Sequence, residues 1–417
     1  MSHSRRVAIT GLGLVNPFGG DSEDFFARIM RGESAVSHYR HPAAPDDLAQ
    51  PVVRCASFHP EQAIGRALTS MTDRYSQFAL AAAFDAWKDA GMEGKAQSAE
   101  FGVSWGTGVG GALTFEKGYT DFFVQGKRRM SPLTVALAMN NAAASHIAIA
   151  LGLGASCQTY SVACASSAIS IGEAYRRIRS GESTLVVAGG SEAPLTFSVM
   201  MAWDGMRVVA QGDEFTSSRS CRPFQEGRTG LVLGEGGAAM VLEDWDHAVQ
   251  RGARIHCELA GYGQSCDHAH LVRPDAKGQV RAMQEALREA GLSPHEVGYV
   301  NAHGTATLEG DPVEIDALKT VFGEWARDLP VSSTKSMHGH LLGAAGAMEA
   351  VITALALVKQ EIPPTAHLEE VAADCSGVRH VMGKGLRGAA FEAAISNSFA
   401  FGGSNAVLAF RKDRKSG

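Results

Sequence analysis

Short runs of β-branched residues alternate with longer Ala-rich segments of helical period along most of this chain, and this alternation constrains the fold more than any other feature. We predict strands at 7–10, 101–105 and 184–187, and helices at 74–90, 133–151 and 166–180. Strands and helices in alternation predict an α/β protein, because each helix must cover a face of the sheet.

The same pattern resumes after a polar passage at 244–254. We predict further strands at 256–262, 297–301, 331–334, 393–397 and 406–410, and further helices at 277–290, 313–322 and 341–359. The two parts have similar layouts, so we predict a duplicated α/β unit with one half over residues 1–250 and the other over 251–417, although no letter-for-letter repeat supports it. No Pro- or Ser-rich linker divides them, which favours one compact body.

Charge and cysteine usage limit the class of protein. The 38 Lys and Arg residues against 44 Asp and Glu give a net charge of −6 with no long run of one sign, which argues against a nucleic-acid partner. The seven cysteines are scattered and form no C-x-x-C pair, so we expect free thiols and a cytoplasmic location. The apolar stretch 341–358 carries Glu349 in its middle, so we predict a buried helix and no membrane span.

Cys164 is a candidate nucleophile. The apolar run 160–163 predicts a strand, and the small residues that follow Cys164 open a helix-compatible segment. A thiol at such a turn lies beneath unpaired helical N–H groups, which lower its pKa. From this segment alone, a small buried cysteine without a chemical role is the alternative.

Two histidine segments strengthen the case for a catalytic site. Residues 301–307 (NAHGTAT) and 335–340 (KSMHGH) each follow a predicted strand. Loops beyond strand ends are where α/β proteins build their sites, so histidines on two equivalent loops and a cysteine at a turn form one candidate constellation.

Two other motifs carry weaker signals. Residues 106–111 satisfy G-x-G-x-x-G, but no helix clearly opens there and no acidic residue ends a second strand about twenty residues on, so dinucleotide binding is disfavoured. Residues 266–270 (CDHAH) resemble metal ligands but lack a second ligand pair, so we predict a polar loop and no metal site.

Together these residues resemble the β-ketoacyl-acyl-carrier-protein synthases, most closely the type II condensing enzymes. The likeness spans nearly the whole chain and rests on seven ordered segments: 7–13 (VAITGLG), 163–166 (ACAS), 222–224 (RPF), 234–236 (GEG), 301–305 (NAHGT), 333–340 (STKSMHGH) and 397–405 (NSFAFGGSN). The resemblance implies a thiolase-like fold, a five-layered α-β-α-β-α sandwich of two similar halves, usually dimeric.

The resemblance also implies residue roles. Cys164 looks like the acylated nucleophile, His303 and His340 like the histidine pair, and Lys335 like a buried supporting lysine with Glu349 as its partner. Phe401 looks like the gating phenylalanine, whose N–H joins that of Cys164 as oxyanion donors; Thr305 and Thr307 look like the hydroxyls that hold the pantetheine arm.

The implied reaction is a decarboxylative condensation of an acyl-enzyme thioester with malonyl-acyl-carrier protein, which extends the chain by two carbons in fatty acid biosynthesis. No metal or redox cofactor is expected. The substrates are carried as thioesters on the phosphopantetheine of the carrier protein. The expected partners are acyl carrier protein and a second subunit, either another copy or a chain-length-factor-like paralogue. Lys127, Arg128 and Arg129 form a candidate docking point for the acidic carrier, although such a run is most often a solvated turn.

Departures from the family pattern keep a second pathway open. Gln225 and Thr229 stand where family members commonly carry aspartate, Val272 replaces a frequent hydroxyl residue, and Leu308 replaces a frequent proline. None of them is a catalytic position, so they favour, as the alternative, a ketosynthase of a specialised type II polyketide or aryl polyene pathway. A non-catalytic chain-length subunit is disfavoured because it typically lacks the cysteine, and a thiolase because it expects a second late cysteine.

Overall fold

The computed structural model describes residues 5–44, 49–94 and 98–413. The strands are β1 (Val7–Val15), β2 (Val36–Arg40), β3 (Ala49–Val53), β4 (Phe101–Gly106), β5 (Cys157–Tyr160), β6 (Leu185–Glu192), β7 (Leu233–Gly234), β8 (Gly236–Asp244), β9 (Cys257–Cys266), β10 (Val297–Asn301), β11 (Pro330–Ser332), β12 (Glu361–Ile362), β13 (Arg379–His380), β14 (Leu386–Arg387), β15 (Ala393–Phe399) and β16 (Ser404–Arg411).

The helices are α1 (Ser22–Met30), α2 (Pro60–Ser70), α3 (Arg74–Asp89), α4 (Ala112–Tyr119), α5 (Thr134–Ala138), α6 (Ala142–Leu151), α7 (Ser166–Ser180), α8 (Phe197–Gly205), α9 (Trp245–Gln250), α10 (Ala276–Ala290), α11 (Gly310–Phe322), α12 (Lys335–His338) and α13 (Ala345–Lys359). Short 3₁₀ turns and one π-helical turn, Thr120–Val124, connect some of them.

Eleven strands pair in the order β13-β11-β10-β15-β16-β9-β1-β8-β6-β4-β5. Only three residues of β1 pair with β9, at Val7, Ala8 and Ile9, so the sheet has two parts joined along a short seam. In the first part β4 runs parallel to β5 and β6, and in the second β10 runs parallel to β11 and β15. The candidate site residues lie on the segments that follow the carboxyl ends of these parallel strands.

The helices complete five layers. Helices α7 and α13 pack between the two parts of the sheet and share one core with the inward side chains of both. Helices α3 and α6 cover the outer face of the first part, and α10 and α11 cover the outer face of the second. The α-β-α-β-α order confirms the predicted fold class.

Most predicted elements are present. Several observed elements were not predicted, among them α1, α2, α8, β2, β3 and β8, and two predictions differ from the structure. Segment 133–151 was predicted as one helix but forms α5 and α6, because Met139 adopts an extended conformation between them. The predicted strand at 160–163 is wrong, because β5 ends at Tyr160 and the chain turns there. Strand β8 lacked the alternating pattern, because it is buried on both faces.

The long apolar segment near the C-terminal half is a core helix. Among the described residues, the helical stretch Leu342–Lys359 is long and apolar enough to cross a membrane, but 89% of it is buried inside the fold. This burial agrees with the prediction of a buried helix.

Candidate active site

Cys164 lies in the turn between β5 and α7, two residues before the helix begins. The preceding residue, Ala163, has φ of 45°, a left-handed conformation that L-residues rarely adopt. The Ser166 hydroxyl holds this turn: it donates to Ala163 O at 2.6 Å and accepts from Val162 N at 2.8 Å. The strained turn places the sulfur of Cys164 at the base of a cavity, with the side chain only 6% exposed.

His303 follows β10 on a loop that two buried carboxylates hold in place. Glu314 of α11 accepts the backbone N–H groups of His303 and Gly304, each at 2.8 Å, and also the Asn397 side-chain amide at 3.0 Å. Asp311 accepts the backbone N–H groups of Thr305 and Ala306 at 3.1 Å. Carboxylates that accept several backbone N–H groups fix a loop without help from regular secondary structure.

His340 brings the second histidine segment to the cysteine. Its Nε2 lies 3.1 Å from Cys164 Sγ, and its ring centroid lies 5.4 Å from that of His303 in an edge-to-face arrangement. His338, the other histidine of the segment, instead contacts the Thr334 hydroxyl through Nε2 at 3.0 Å. The structure therefore brings Cys164, His303 and His340 together.

Lys335 and Glu349 form a fully buried ion pair beside His303. Lys335 Nζ contacts Glu349 Oε1, donates to His303 O at 2.6 Å, and lies 3.4 Å from His303 Nδ1. An ammonium group only donates hydrogen bonds, so Nδ1 of His303 is the acceptor and its Nε2 carries the ring proton. This arrangement directs an N–H donor away from Lys335.

The protonation state of Cys164 differs from the sequence-based expectation. Burial raises the pKa of the Cys164 thiol to about 12; the Lys335 charge and the backbone N–H groups of Cys164 and Phe401 lower it, whereas Glu192 raises it. We expected the helix N-terminus to lower this pKa, but the loss of water around the sulfur is the larger effect. The resting thiol is therefore neutral.

Both histidines are also neutral. Burial and, next, the Lys335 charge hold the pKa values of His303 and His340 well below the usual range. A neutral thiol 3.1 Å from a neutral imidazole forms a hydrogen bond, not a thiolate–imidazolium pair.

A cavity of about 460 Å³ opens onto these side chains. Cys164, His303 and His340 line it, as do Phe399 and Phe401. The Phe401 ring stacks on Trp203 with centroids 5.8 Å apart. Thr305 and Thr307 line the same cavity with their hydroxyl oxygens 3.0 Å apart.

The remaining predicted positions lie outside this cluster. Lys127, Arg128 and Arg129 are exposed, and Lys127 forms an ion pair with Asp121 at 2.9 Å. In the 266–270 loop, Asp267 accepts the Asn405 amide at 2.6 Å, a structural use. Among the described residues, no three His, Cys, Asp or Glu side chains are grouped to hold a metal ion.

The glycine motif at 106–111 differs in detail from our expectation. A helix does open after it, α4, but the loop donates its hydrogen bonds to the carboxylate of Glu192. The anion in this glycine-rich loop is thus one of the protein's own side chains.

Three buried acids around the site were not predicted from the sequence: Glu192, Asp311 and Glu314. For two of them a signal was present, because Asp311 and Glu314 open the helix that follows the His303 loop, where carboxylates can accept loop N–H groups. Glu192 gave no such signal, since its partners come from segments distant in sequence.

Comparisons with known proteins identify the family of this chain. The model of the β-ketoacyl synthase N-terminal domain matches residues 4–248, and that of the C-terminal domain matches residues 256–369. The chain is 36% identical over 415 residues to 3-oxoacyl-[acyl-carrier-protein] synthase 2 of Staphylococcus aureus (strain COL), covering 99% of each protein. It is 39% identical over 412 residues to nodulation protein E of Rhizobium sp. (strain N33), covering 98% of this chain and 99% of that protein.

Solved structures give the same answer. A β-ketoacyl synthase from Burkholderia phymatum STM815 superposes with a TM-score of 0.90 at 34% identity, covering 98% of this chain and all of that one. The ishigamide ketosynthase/chain length factor superposes with a TM-score of 0.92 at 30% identity, with the same coverage. From the fold, the buried cysteine and histidine cluster and these matches, we conclude that the chain belongs to the β-ketoacyl synthase family.

Proposed function

We propose that this chain is a condensing acyltransferase that joins an acyl group on Cys164 to a malonyl unit presented by acyl carrier protein. The observation that carries the proposal is the contact between Cys164 Sγ and His340 Nε2 at 3.1 Å, with His303 beside it, at the base of the cavity. A nucleophile within hydrogen-bond reach of a base is the arrangement that covalent acyl transfer requires.

In the first half-reaction, Cys164 Sγ attacks the thioester carbonyl of an acyl carrier. Its proton passes to His340 Nε2 as the S–C bond forms, and then to the carrier sulfur as that C–S bond breaks. Hydrogen bonds from the backbone N–H groups of Cys164 and Phe401 lower the pKa of the Cys164 thiol. We propose the same two N–H groups as the donors to the oxyanion. The products are an acyl-enzyme thioester and the free carrier thiol.

In the second half-reaction, malonyl carrier loses CO₂, and the electron pair of the broken C–C bond forms an enolate. We assign the stabilisation of its oxygen to His303, which holds its proton on Nε2, and to His340. The Nδ1 atom of His340 has no hydrogen-bond partner among the described residues that would fix the tautomer. Between the two half-reactions the ring loses its Nδ1 proton to solvent and takes one from solvent at Nε2, so that Nε2 accepts in the first half-reaction and donates in the second. The carbanion then attacks the acyl carbonyl, and the C–S bond to Cys164 breaks. The negative charge left by the loss of CO₂ ends on the Cys164 sulfur, which takes one proton from solvent to restore the thiol.

The reaction as written needs no metal or redox cofactor, because every step uses thiol, imidazole and amide groups of this chain. We propose that the acyl groups arrive on the phosphopantetheine of the carrier and that Thr305 and Thr307, which line the cavity, contact that arm. We propose a cytoplasmic location and assign Lys127, Arg128 and Arg129 to carrier docking.

Fatty acid biosynthesis is the pathway we propose, from the likeness to 3-oxoacyl-[acyl-carrier-protein] synthase 2. The alternative is a specialised type II polyketide or aryl polyene pathway. A second set of neighbours favours it: the ishigamide ketosynthase/chain length factor and a type II polyketide ketosynthase in complex with its acyl-carrier protein, the latter at 30% identity and a TM-score of 0.87. The partner subunit is then a second copy in the first pathway and a chain-length-factor-like paralogue in the second.

Cys164→Ala tests the proposed function. We expect the variant to lose acyl loading from acyl carrier while retaining malonyl decarboxylation, because the histidines remain in place. Mass spectrometry of the intact protein measures loading, and CO₂ release measures decarboxylation. A variant that still forms a covalent acyl adduct would overturn the nucleophile assignment.

A further inference from the structure

Glu192 is a fully buried carboxylate at the carboxyl end of β6 that the proposed reaction does not use. Its Oε1 accepts the Thr107 hydroxyl at 2.9 Å and Val109 N at 3.1 Å. Its Oε2 accepts Gly108 N at 2.6 Å and Gly343 N at 2.9 Å. All four partners are N–H or O–H donors and none is a cation, so the carboxylate is held as an anion is held in a glycine-rich loop.

These hydrogen bonds join two segments distant in sequence. Thr107, Gly108 and Val109 follow β4, whereas Gly343 lies in the turn three residues after His340. The packing leaves no room for a side chain: a Cβ on Gly343 would lie 2.3 Å from Gly108 N and 2.6 Å from Glu192 Oε2. Leu342, between His340 and Gly343, has φ of 45°, so this turn needs an external restraint.

We propose that Glu192 is a positioning residue for the active site, which holds the His340 segment against Cys164 by joining it to the glycine-rich loop after β4. This inference rests on the proposed function for its catalytic meaning. Through its hydrogen bond to Gly343 N, the carboxylate fixes the position of the His340 ring. It does not contact the reacting atoms.

The charge of Glu192 also raises the pKa of the Cys164 thiol. Two groups whose charges act on Cys164 are Lys335, which favours the thiolate, and Glu192, which opposes it; the neighbouring His303 and His340 are neutral. Burial raises the pKa of Glu192 to about 7, so its charge is fully present only above neutral pH. Removal of the Glu192 charge therefore eases ionisation of Cys164, whereas a shorter carboxylate keeps the charge and changes only the restraint.

Two substitutions separate position from charge. Glu192→Asp retracts the carboxylate by one methylene, and Glu192→Gln keeps the length but replaces an acceptor oxygen with an NH₂ group that faces N–H donors. Glu243→Gln is the matched control, since Glu243 is an equally buried strand glutamate that pairs with Arg251 and lies outside the site. The two readouts are decarboxylation of malonyl carrier and the pH profile of Cys164 modification by methyl methanethiosulfonate, followed by peptide mass spectrometry.

We expect both Glu192 variants to lose at least about tenfold in kcat for decarboxylation with little change in KM. In this reaction His340 stabilises the charge that develops on the enolate oxygen and not the bound substrate, so a misplaced ring lowers kcat alone. We expect Cys164 to be modified faster in Glu192→Gln than in the unsubstituted protein between pH 8 and pH 10, where Glu192 is ionised, and to keep the unsubstituted rate in Glu192→Asp and Glu243→Gln.

Wild-type decarboxylation in Glu192→Asp would overturn the positioning role, even if Glu192→Gln fails to fold. An unmoved thiol profile in a folded Glu192→Gln would overturn the charge effect. If the unsubstituted protein neither loads acyl groups nor decarboxylates malonyl carrier, the proposed function fails instead, and the thiol profile still tests the link between Glu192 and Cys164.

Discussion

Cys164 is expected to rest as a neutral thiol, and its reactivity against pH provides the test. With its pKa raised to about 12, the fraction present as thiolate at pH 7 is on the order of 10⁻⁵, against about 3% for an ordinary exposed cysteine. The more basic thiolate is the better nucleophile, which restores a factor of about 40 over this pKa interval. We therefore expect Cys164 to react about a hundredfold more slowly than an exposed thiol at pH 7.

The assay is modification by methyl methanethiosulfonate between pH 6 and pH 10, read at Cys164 by peptide mass spectrometry. Exposed Cys266 serves as the internal reference, and Cys164→Ala identifies the peptide signal. We expect the Cys164 rate to rise about tenfold per pH unit without a plateau, because the thiolate fraction does so. Limited access to the buried sulfur lowers every rate equally and leaves this slope unchanged.

Lys335→Met sharpens the test. This substitution removes the positive charge that favours the thiolate, so Cys164 is expected to react still more slowly at every pH below 10. A plateau below pH 9 in the unsubstituted protein, or faster modification in Lys335→Met, would refute the neutral resting state and indicate a thiolate–imidazolium pair.

Three further predictions follow from the geometry. Glu349→Leu leaves Lys335 buried without its anion, so it should lower the free energy of unfolding by about 3–5 kcal/mol in denaturant titrations. The double variant Glu349→Leu with Lys335→Met should recover most of this loss. Equal stability of the single and the double variant would contradict the pairing. His303→Ala should slow malonyl decarboxylation by about 10²–10³ while acyl loading falls far less, and equal losses would contradict the enolate role. Arg128→Glu with Arg129→Glu should weaken carrier binding at low salt and much less at high salt in calorimetric titrations, and unchanged binding at low salt would leave both as solvated residues.

The fold was predictable from the sequence where the spacing of apolar residues within one segment follows the period of a single helix or strand. Helix α7 was predicted with its observed bounds, because its apolar spacing and the glycine after it mark both the buried face and the end. The break between α5 and α6 was not predictable, because a tertiary contact contributes to it: the Tyr75 hydroxyl donates to Met139 O at 2.6 Å. Local sequence at 133–151 does not show that a tyrosine from α3 lies there.

The candidate site divides in the same way. The motifs identified Cys164, His303 and His340, since each comes soon after a strand and the carboxyl ends of parallel strands meet. The short helix α12, which separates β11 from His340, was not predicted. The sign of the thiol pKa shift was wrong, because a sequence shows that a helix follows Cys164 but not how completely the sulfur is covered. Glu192 was missed for a related reason: its four partners come from two loops, and only the folded chain brings them together.

A site with neutral cysteine and histidines also favours the loss of CO₂. We propose that the malonyl carboxylate lies against Phe399 and Phe401, two apolar residues of a cavity that Thr305 and Thr307 also line, and there loses part of the hydration that stabilised it in water. The enolate oxygen, in contrast, forms beside the N–H donor of His303, whose tautomer Lys335 fixes. Decarboxylation therefore moves negative charge from a position with few donors to one with preorganised donors, and this difference lowers the barrier. If His303 were charged at rest, it would stabilise the incoming carboxylate as well and reduce that difference, so we infer that burial and, next, the Lys335 charge serve catalysis by keeping the imidazole neutral.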